Sequence, residues 1–272
     1  MNRKILTIFK FLKRCLKLDK KKVNDFLITS NVLCGGFNHK KILEVGCGTG
    51  ALSKSIATTF KPVEVIGLDP ACKDFEISSN CRLVNGDIRD TPFEDNYFDI
   101  IISNFSFEHV QNFDIALKEM YRVTKKEGFL YSQWGPIWSA PHGHHLWYRD
   151  PDSLKLYNYQ NFILPPFCHL LMSKKELYDY IIKNHQISEK LSNNIVDYIF
   201  FSKDQNKLFY EDYHSIINNS QYNILFLKGI SSDKFTNIYQ KNIEPYVFEK
   251  LLIKYPDCSN FMHNGMTMLL KK

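Results

Sequence analysis

From residue 40 onward the chain alternates short apolar runs with amphipathic stretches, the signature of strands and helices taken in turn. Five runs read as strands, at 41–46, 63–69, 82–86, 98–103 and 128–133. Helical periodicity fits between them at about 50–60, briefly at 71–78, and at 112–124. The run Ile100-Ile101-Ile102 is apolar on both faces, as a central parallel strand requires. This alternation predicts an α/β fold with a doubly wound, Rossmann-like sheet. Two stretches interrupt it. Residues 136–207 are rich in aromatics and histidine and precede a helix at 208–219 and a strand at 222–227; residues 231–260, with a helix at 245–254, precede a last strand at 266–270. Both inserts are expected near the carboxyl ends of the strands, as lids. Ser173, with Glu176 three residues on, predicts a capping box inside the first. Ahead of the sheet, Ile5, Ile8, Phe9, Leu12 and Leu16 fall on one face of a helix at 4–18 with cations opposite. The chain therefore divides into a basic amphipathic helical segment (1–35), a sheet core (36–135), a lid insertion (136–207), and a return to the sheet (208–272) carrying the second insert.

The sharpest local signal is Ile42-Leu43-Glu44-Val45-Gly46-Cys47-Gly48-Thr49-Gly50, a strand running into three glycines and then the amphipathic stretch Ala51–Ala57. Strand, tight turn and helix start make a loop that cradles a nucleotide, since glycines let the backbone turn sharply and come close to a ligand. Two patterns fit. Gly46, Gly48 and Ala51 satisfy the dinucleotide fingerprint, whereas Glu44 with Gly46, Gly48 and Gly50 satisfies E/D-x-G-x-G-x-G. A carboxylate under the loop suits a cationic ligand and sits awkwardly beside a pyrophosphate, which favours the second. Asp69 closes the next strand, 21 residues after Gly48, where an acidic residue can accept both hydroxyls of a ribose. Asp87, in Asn85-Gly86-Asp87-Ile88, is placed to accept from an adenine amino group, with Ile88 packing on the ring.

Glu44 and its glycines resemble motif I of class I S-adenosylmethionine (SAM) dependent methyltransferases. The stretch Gly86-Asp87-Ile88 through Pro92-Phe93, Phe98–Ile101, Glu108-His109-Val110 and Leu117–Val123 to Gly128 is similar to the core of the small-molecule members, so that the resemblance covers roughly 36–135. It implies a seven-stranded sheet and SAM bound at the carboxyl ends of the strands. It further implies Glu44, Gly46, Cys47, Gly48 and Gly50 near the methionine part, Asp69 and Pro70 at the ribose, Asp87 and Ile88 at adenine, and Asn104 and Phe105 beside the methyl. The helix expected after Asp69 is short and poorly periodic. Where amino-methylating nucleic-acid enzymes of this class resemble one another in an Asp/Asn-Pro-Pro-aromatic element, this chain has Asn104-Phe105-Ser106-Phe107, which disfavours bases as acceptors.

Charge reinforces that exclusion. Of a formal +6, residues 1–25 supply nine Lys and Arg against Asp19 and Asp25, leaving the rest close to neutral, without a nucleic-acid footprint. The basic helix is expected to pack on the neighbouring domain or cap the cofactor, or else to touch an anionic membrane through residues 3–22, with nucleic acid a third and weaker reading. Seven scattered cysteines without a C-x-x-C pair suit a reducing cytoplasm, and no apolar run reaches the ~18 residues of a membrane span.

The densest chemistry lies in Trp134–Asp150, where His142, His144 and His145 share a Gly/Pro loop with Trp138 and Trp147. Adjacent histidines rarely point the same way, so acid–base or substrate hydrogen-bonding roles are expected first, solvated or packing histidines next, and a metal site last. His109, closer to the expected methyl position, joins them as a candidate base; His169 is a pocket or a core residue. Methyl transfer is an in-line displacement, and a hydroxyl acceptor must also lose a proton, for which a histidine titrating near neutrality is apt. An oxygen acceptor on a small or sugar-linked molecule is the resulting expectation. The Gly-His-His loop and Pro165-Pro166-Phe167-Cys168-His169-Leu170-Leu171-Met172 resemble bacterial methyltransferases of surface-polysaccharide synthesis, including those serving capsular O-methyl phosphoramidate groups. An NAD-dependent oxidoreductase and a non-catalytic SAM-fold partner subunit are the alternatives.

Overall fold

The computed structural model describes residues 25–231 and 243–272; the helix expected at 4–18 and the membrane contact expected through 3–22 lie outside the described residues. Ten strands and eight α-helices follow in chain order: α1 (Asp25–Leu33), β1 (Lys41–Val45), α2 (Ala51–Thr59), β2 (Glu64–Asp69), β3 (Phe75–Ser78), β4 (Cys81–Asn85), β5 (Phe98–Asn104), α3 (Phe113–Val123), β6 (Thr124–Trp134), β7 (Trp147–Arg149), β8 (Leu156–Asn158), α4 (Cys168–Leu171), α5 (Lys174–Asn184), α6 (Glu189–Phe201), α7 (Tyr210–Asn218), β9 (Asn223–Ser231), α8 (Pro245–Lys254) and β10 (His263–Lys271). One sheet runs β3-β4-β2-β1-β5-β6-β10-β9, and β7 pairs with β8.

Strands β4, β2, β1, β5 and β6 are parallel, while β3, β10 and β9 pair antiparallel. The chain walks outward from β1 through β2 to β4, then crosses to β5 on the other side of β1. That reversal is a topological switch point, and a crevice opens there at the carboxyl ends. The expected seven strands become eight. The helix expected at 71–78 is absent because Phe75–Ser78 runs extended and pairs antiparallel with Cys81–Leu83 at the edge of the sheet instead.

Burial explains why the parallel strands form where they do. Along β5, Ile101 enters the cluster holding Leu43, Val45, Ile66, Leu68, Phe107, Trp134 and Tyr213, whereas Ile100 and Ile102 enter the opposite cluster with Ile42, Ile56, Val65 and Tyr131. Each fully buried aliphatic side chain contributes about 1.5–3 kcal/mol, so both faces hold this strand at the centre. Helix α3 covers the first face with Phe113, Ala116, Leu117, Met120 and Val123, spaced to form one stripe.

Between β6 and α7 the chain builds an insertion with its own core of Leu146, Tyr157, Phe162, Leu177, Ile181, Ile195 and Ile199. The expected capping box is present: Ser173 Oγ accepts from the Glu176 N–H, and Glu176 Oε2 accepts from the Ser173 N–H at 2.7 Å. The insertion returns to the sheet at residues 203–206, stitched to the turn after β5. Asn206 Nδ2 donates to the carbonyls of Phe107 (2.8 Å) and Val110 (3.0 Å), and the Asn206 N–H donates to the Glu108 carbonyl at 2.9 Å. Among the described residues, no helix is long and apolar enough to cross a membrane.

Candidate active site

Strand register gathers the cofactor candidates. Val45 lies opposite both Leu68 and Ser103, and Asp69 opposite Asn85, so Gly46–Gly50, Asp69-Pro70, Asp87 and Asn104-Phe105 crowd the carboxyl ends of four neighbouring strands. Gly46, Gly48 and Gly50 all take positive φ, at 74°, 51° and 75°. A Cβ on Gly46 would collide with Ser106 of the β5 turn, so this position requires glycine by space as well as by conformation. At Gly48 nothing among the described residues stands within 4 Å of such a Cβ, leaving that side of the loop open to a ligand.

The carboxylates sit beneath. Asp69 Oδ2 accepts the Gly48 N–H at 2.9 Å and Oδ1 the Ala71 N–H at 2.8 Å, which ties the glycine turn to the end of β2. Glu44 is buried and accepts from Ser53 Oγ of α2. Burial pushes its carboxyl up to about 7, against the lowering effect of Ser53, and the nearby Asp69 adds to the rise. Asp87 is held by Arg89, whose guanidinium lies 2.5 Å away and keeps the carboxyl below its usual range. Ile88 is buried in the main core, and Cys47 is buried under the loop. Asn104 Oδ1 is buried without a hydrogen-bond partner, and Phe105 follows in a left-handed conformation at φ 54°, half-exposed. A glycine cradle that a Cβ would fill, with two carboxylates behind it and an open face at Gly48, fits a cationic sulfonium nucleoside.

The histidine candidates converge beyond Phe105. A cavity of about 250 Å³ is lined by Phe105, Glu108, His109, Gly135, Pro136, His142, His145, Tyr159 and Asn264. A second, of about 670 Å³, shares His109 and His145 with it and reaches from Pro70 and Ala71 to Trp138, Trp147, Tyr198 and His144. The rings of His109 and His145 lie against each other, tilted by 38° with centroids 4.9 Å apart.

Hydrogen bonding separates the histidines by tautomer. His109 Nδ1 meets the carbonyl of Asp204, which can only accept, so Nδ1 carries the proton and Nε2 keeps a lone pair. His144 Nδ1 accepts the Leu146 N–H at 3.1 Å, and His145 Nδ1 accepts from Gln205 Nε2 at 2.7 Å, so both carry their proton on Nε2 and are donors there. His169 Nε2 donates to the Trp138 carbonyl at 2.8 Å, which makes it a packing group of the loop. The expectation of histidines titrating near neutrality does not describe His142, His144 or His145. Burial pushes His142 down to about 4 and His145 to about 3, and holds His144 well below its ordinary range.

Glu108 is the residue the sequence pattern did not single out. It lies on the 3-10 turn Phe107–His109, fully buried, with Oε1 accepting the Gly135 N–H at 3.1 Å and Oε2 lacking a hydrogen-bond partner. Burial pushes its carboxyl up to about 8. Gly135 can approach because it has no Cβ, which would come within 2.6 Å of the Asn264 carbonyl oxygen at φ 144°. The only signal in the sequence is its place beside His109; that it is buried follows from packing.

With this geometry in hand, residues 43–132 match the family described as methyltransferase domain. They form a class I methyltransferase domain. Its cofactor is S-adenosylmethionine. Relatives include demethylmenaquinone methyltransferases of Staphylococcus carnosus (strain TM300), 33% identical over 155 residues, and of Staphylococcus aureus (strain MRSA252), 34% identical over 153 residues. Each match takes in 52% of this chain, and the chain spans 58% of the length of these curated relatives. Among solved structures, a SAM-dependent methyltransferase from Mesorhizobium loti superposes with a TM-score of 0.51 at 9% identity, covering 90% of this chain and 96% of that one. Phosphoethanolamine N-methyltransferase 2 of Haemonchus contortus, in complex with SAM, gives 0.51 at 13% identity over 90% of this chain and 52% of that one. At these identities the likeness speaks for the fold.

Two predictions follow from the buried carboxyls of this methyltransferase domain. Glu44 must be ionised to favour a cationic ligand, and its carboxyl titrates at about 7 in the folded chain. S-adenosylhomocysteine, which keeps the ammonium, should therefore bind about tenfold more tightly at pH ~8 than at pH ~6, and Glu44→Gln should flatten that dependence in calorimetric titration. Glu108 is raised from an ordinary 4.5 to about 8, so the folded state holds its proton more firmly and stability falls as pH climbs between those values. Urea unfolding should show Glu108→Gln gaining on the parent protein from pH ~5 to pH ~8 by on the order of 1 kcal/mol or more; a constant difference would contradict the assignment.

Proposed function

We propose that the chain transfers the methyl group of SAM to an oxygen of a small or sugar-linked acceptor seated between the sheet and the lid. The observation that carries this reading is the adjoining of two features: the carboxylate-backed glycine turn, and a cavity that starts at Phe105 and is lined by His109, His142 and His145. When bound, SAM supplies an electrophilic methyl group and a sulfur that leaves as a thioether. The protein's part is positioning and proton handling. The lid, acting as the acceptor-binding insertion 136–207, closes over the carboxyl ends of the strands and excludes water from the cavity.

His109 is the base in this proposal. Its Nδ1–H is engaged by the Asp204 carbonyl, which fixes the ring and leaves the Nε2 lone pair to take the acceptor's proton. His145, protonated on Nε2, donates instead and can hold the acceptor oxygen or its neighbour. The low pKa of His142 and His145 keeps the cavity neutral across the physiological range, which favours an uncharged hydroxyl over an anionic oxygen. A sugar-linked acceptor of the surface-polysaccharide kind draws support from the resemblance of the Gly-His-His loop; its hydroxyls suit a neutral cavity of this sort. The relatives named for demethylmenaquinone point instead to a ring-borne acceptor of another kind.

Labelled-methyl SAM incubated with the protein and the small-molecule fraction of a cell extract should yield a labelled product that survives mild base as an ether does. His109→Ala should lower the initial rate by about 10²–10⁴ while leaving S-adenosylhomocysteine affinity within about twofold. Equal rates in the two proteins would remove His109 from the reaction.

A further inference from the structure

The smaller cavity carries polar groups that the transfer itself does not use. Glu108 and Asn264 both line it, both are at least nine-tenths buried, and Glu108 Oε2 and Asn264 Oδ1 have no hydrogen-bond partner among the described residues. A buried polar oxygen left unpaired is costly, and two in one cavity are most simply explained by a ligand that satisfies them. The two come from separate parts of the fold, the turn after β5 and the start of β10, and are brought together by the close approach of Gly135. Gly135 donates its N–H to Glu108 Oε1 and lies against the Asn264 backbone. This is a constructed site, held in part by the backbone.

The hydrogen-bonding complement of the cavity restricts what fits. Asn264 Oδ1 calls for a donor; Glu108, which burial keeps protonated and whose Oε1 is taken by Gly135, presents Oε2 as a hydroxyl that can donate or accept; and His145, with Nδ1 occupied by Gln205, offers an Nε2–H that calls for an acceptor. An ammonium group could satisfy the first two and not the third. Hydroxyl groups donate and accept, and two of them on adjacent carbons meet all three demands. The other titratable groups around Glu108 are His109, His142 and Tyr159 in the cavity and Tyr213 behind it; His142 is kept uncharged by burial.

We propose that Glu108 and Asn264 recognise a vicinal diol on the acceptor, one hydroxyl next to the one that is methylated. This rests on the methyltransferase reading and narrows its substrate to ring diols. Such a diol can belong to an aromatic ring or to a sugar ring, and the wider cavity, walled by Trp138, Trp147, Tyr198 and Ile199, offers flat apolar surface to the body of either.

The test is equilibrium binding to protein saturated with S-adenosylhomocysteine, followed by fluorine NMR. Two probe pairs are used: 4-fluorocatechol against its dimethyl ether, and methyl 4-deoxy-4-fluorogalactoside against its 2,3-di-O-methyl ether. For one pair the diol should bind at least about tenfold more tightly than its ether, since a site built to bond hydroxyls rejects analogues that lack them. The pair that shows the preference identifies the ring. Glu108→Gln, which replaces a hydroxyl able to donate and accept by an amide nitrogen that only donates, and Asn264→Ala should each reduce the preference by at least about threefold. Diol and ether binding alike in both pairs, or a preference that survives both substitutions, overturns the proposal. Failure of S-adenosylhomocysteine itself to bind would strike at the methyltransferase reading, and is read separately in the same samples.

Discussion

The bond between the Gly48 N–H and Asp69 Oδ2 is the constraint on which the cofactor site rests. A left-handed turn of three glycines has little to hold it, because glycine loses the most backbone freedom on ordering. Here the turn is clasped from two sides. Asp69 holds it from β2, and Ser106, from the turn after β5, fills the space that a side chain at Gly46 would take. The same two strand ends flank the switch point of the sheet. The crevice, the turn and the carboxylates are thus consequences of one strand order, β4-β2-β1-β5-β6.

Much of this was legible in the sequence for identifiable reasons. Central strands such as β5 are buried on both faces, so Ile100-Ile101-Ile102 could be read as such without further context. Helix α3 shows one apolar stripe, and the Ser173 box is local chemistry. The eighth strand was not legible: Phe75–Ser78 is too short for a period to declare itself, and its pairing with β4 is a tertiary choice. Glu108 was missed for a related reason. A glutamate before a histidine carries no mark of burial, and its chemistry depends on Gly135 and Asn264, which lie 27 and 156 residues away in sequence.

The histidine loop shows how far composition can guide chemistry. Three histidines in four residues suggested a set of bases, but the hydrogen bonds sort them. His144 and His145 spend their lone pairs on Leu146 and Gln205, while His109, on a different turn, keeps its own. Burial, which makes the loop part of the insertion's packing, is also what lowers the proton affinity of its imidazoles. Left-handed conformations at Phe105 and His145 bring strained backbone to both sides of the same cavity, where such strain commonly collects at functional sites.

The central claim is that the glycine turn, with Glu44 and Asp69 behind it, takes a sulfonium nucleoside and not a dinucleotide. Calorimetric titration of one protein preparation with S-adenosylhomocysteine and with NAD tests it most directly. The account predicts saturable binding of the first at one site per chain and no measurable heat from the second; binding of NAD without S-adenosylhomocysteine would contradict it.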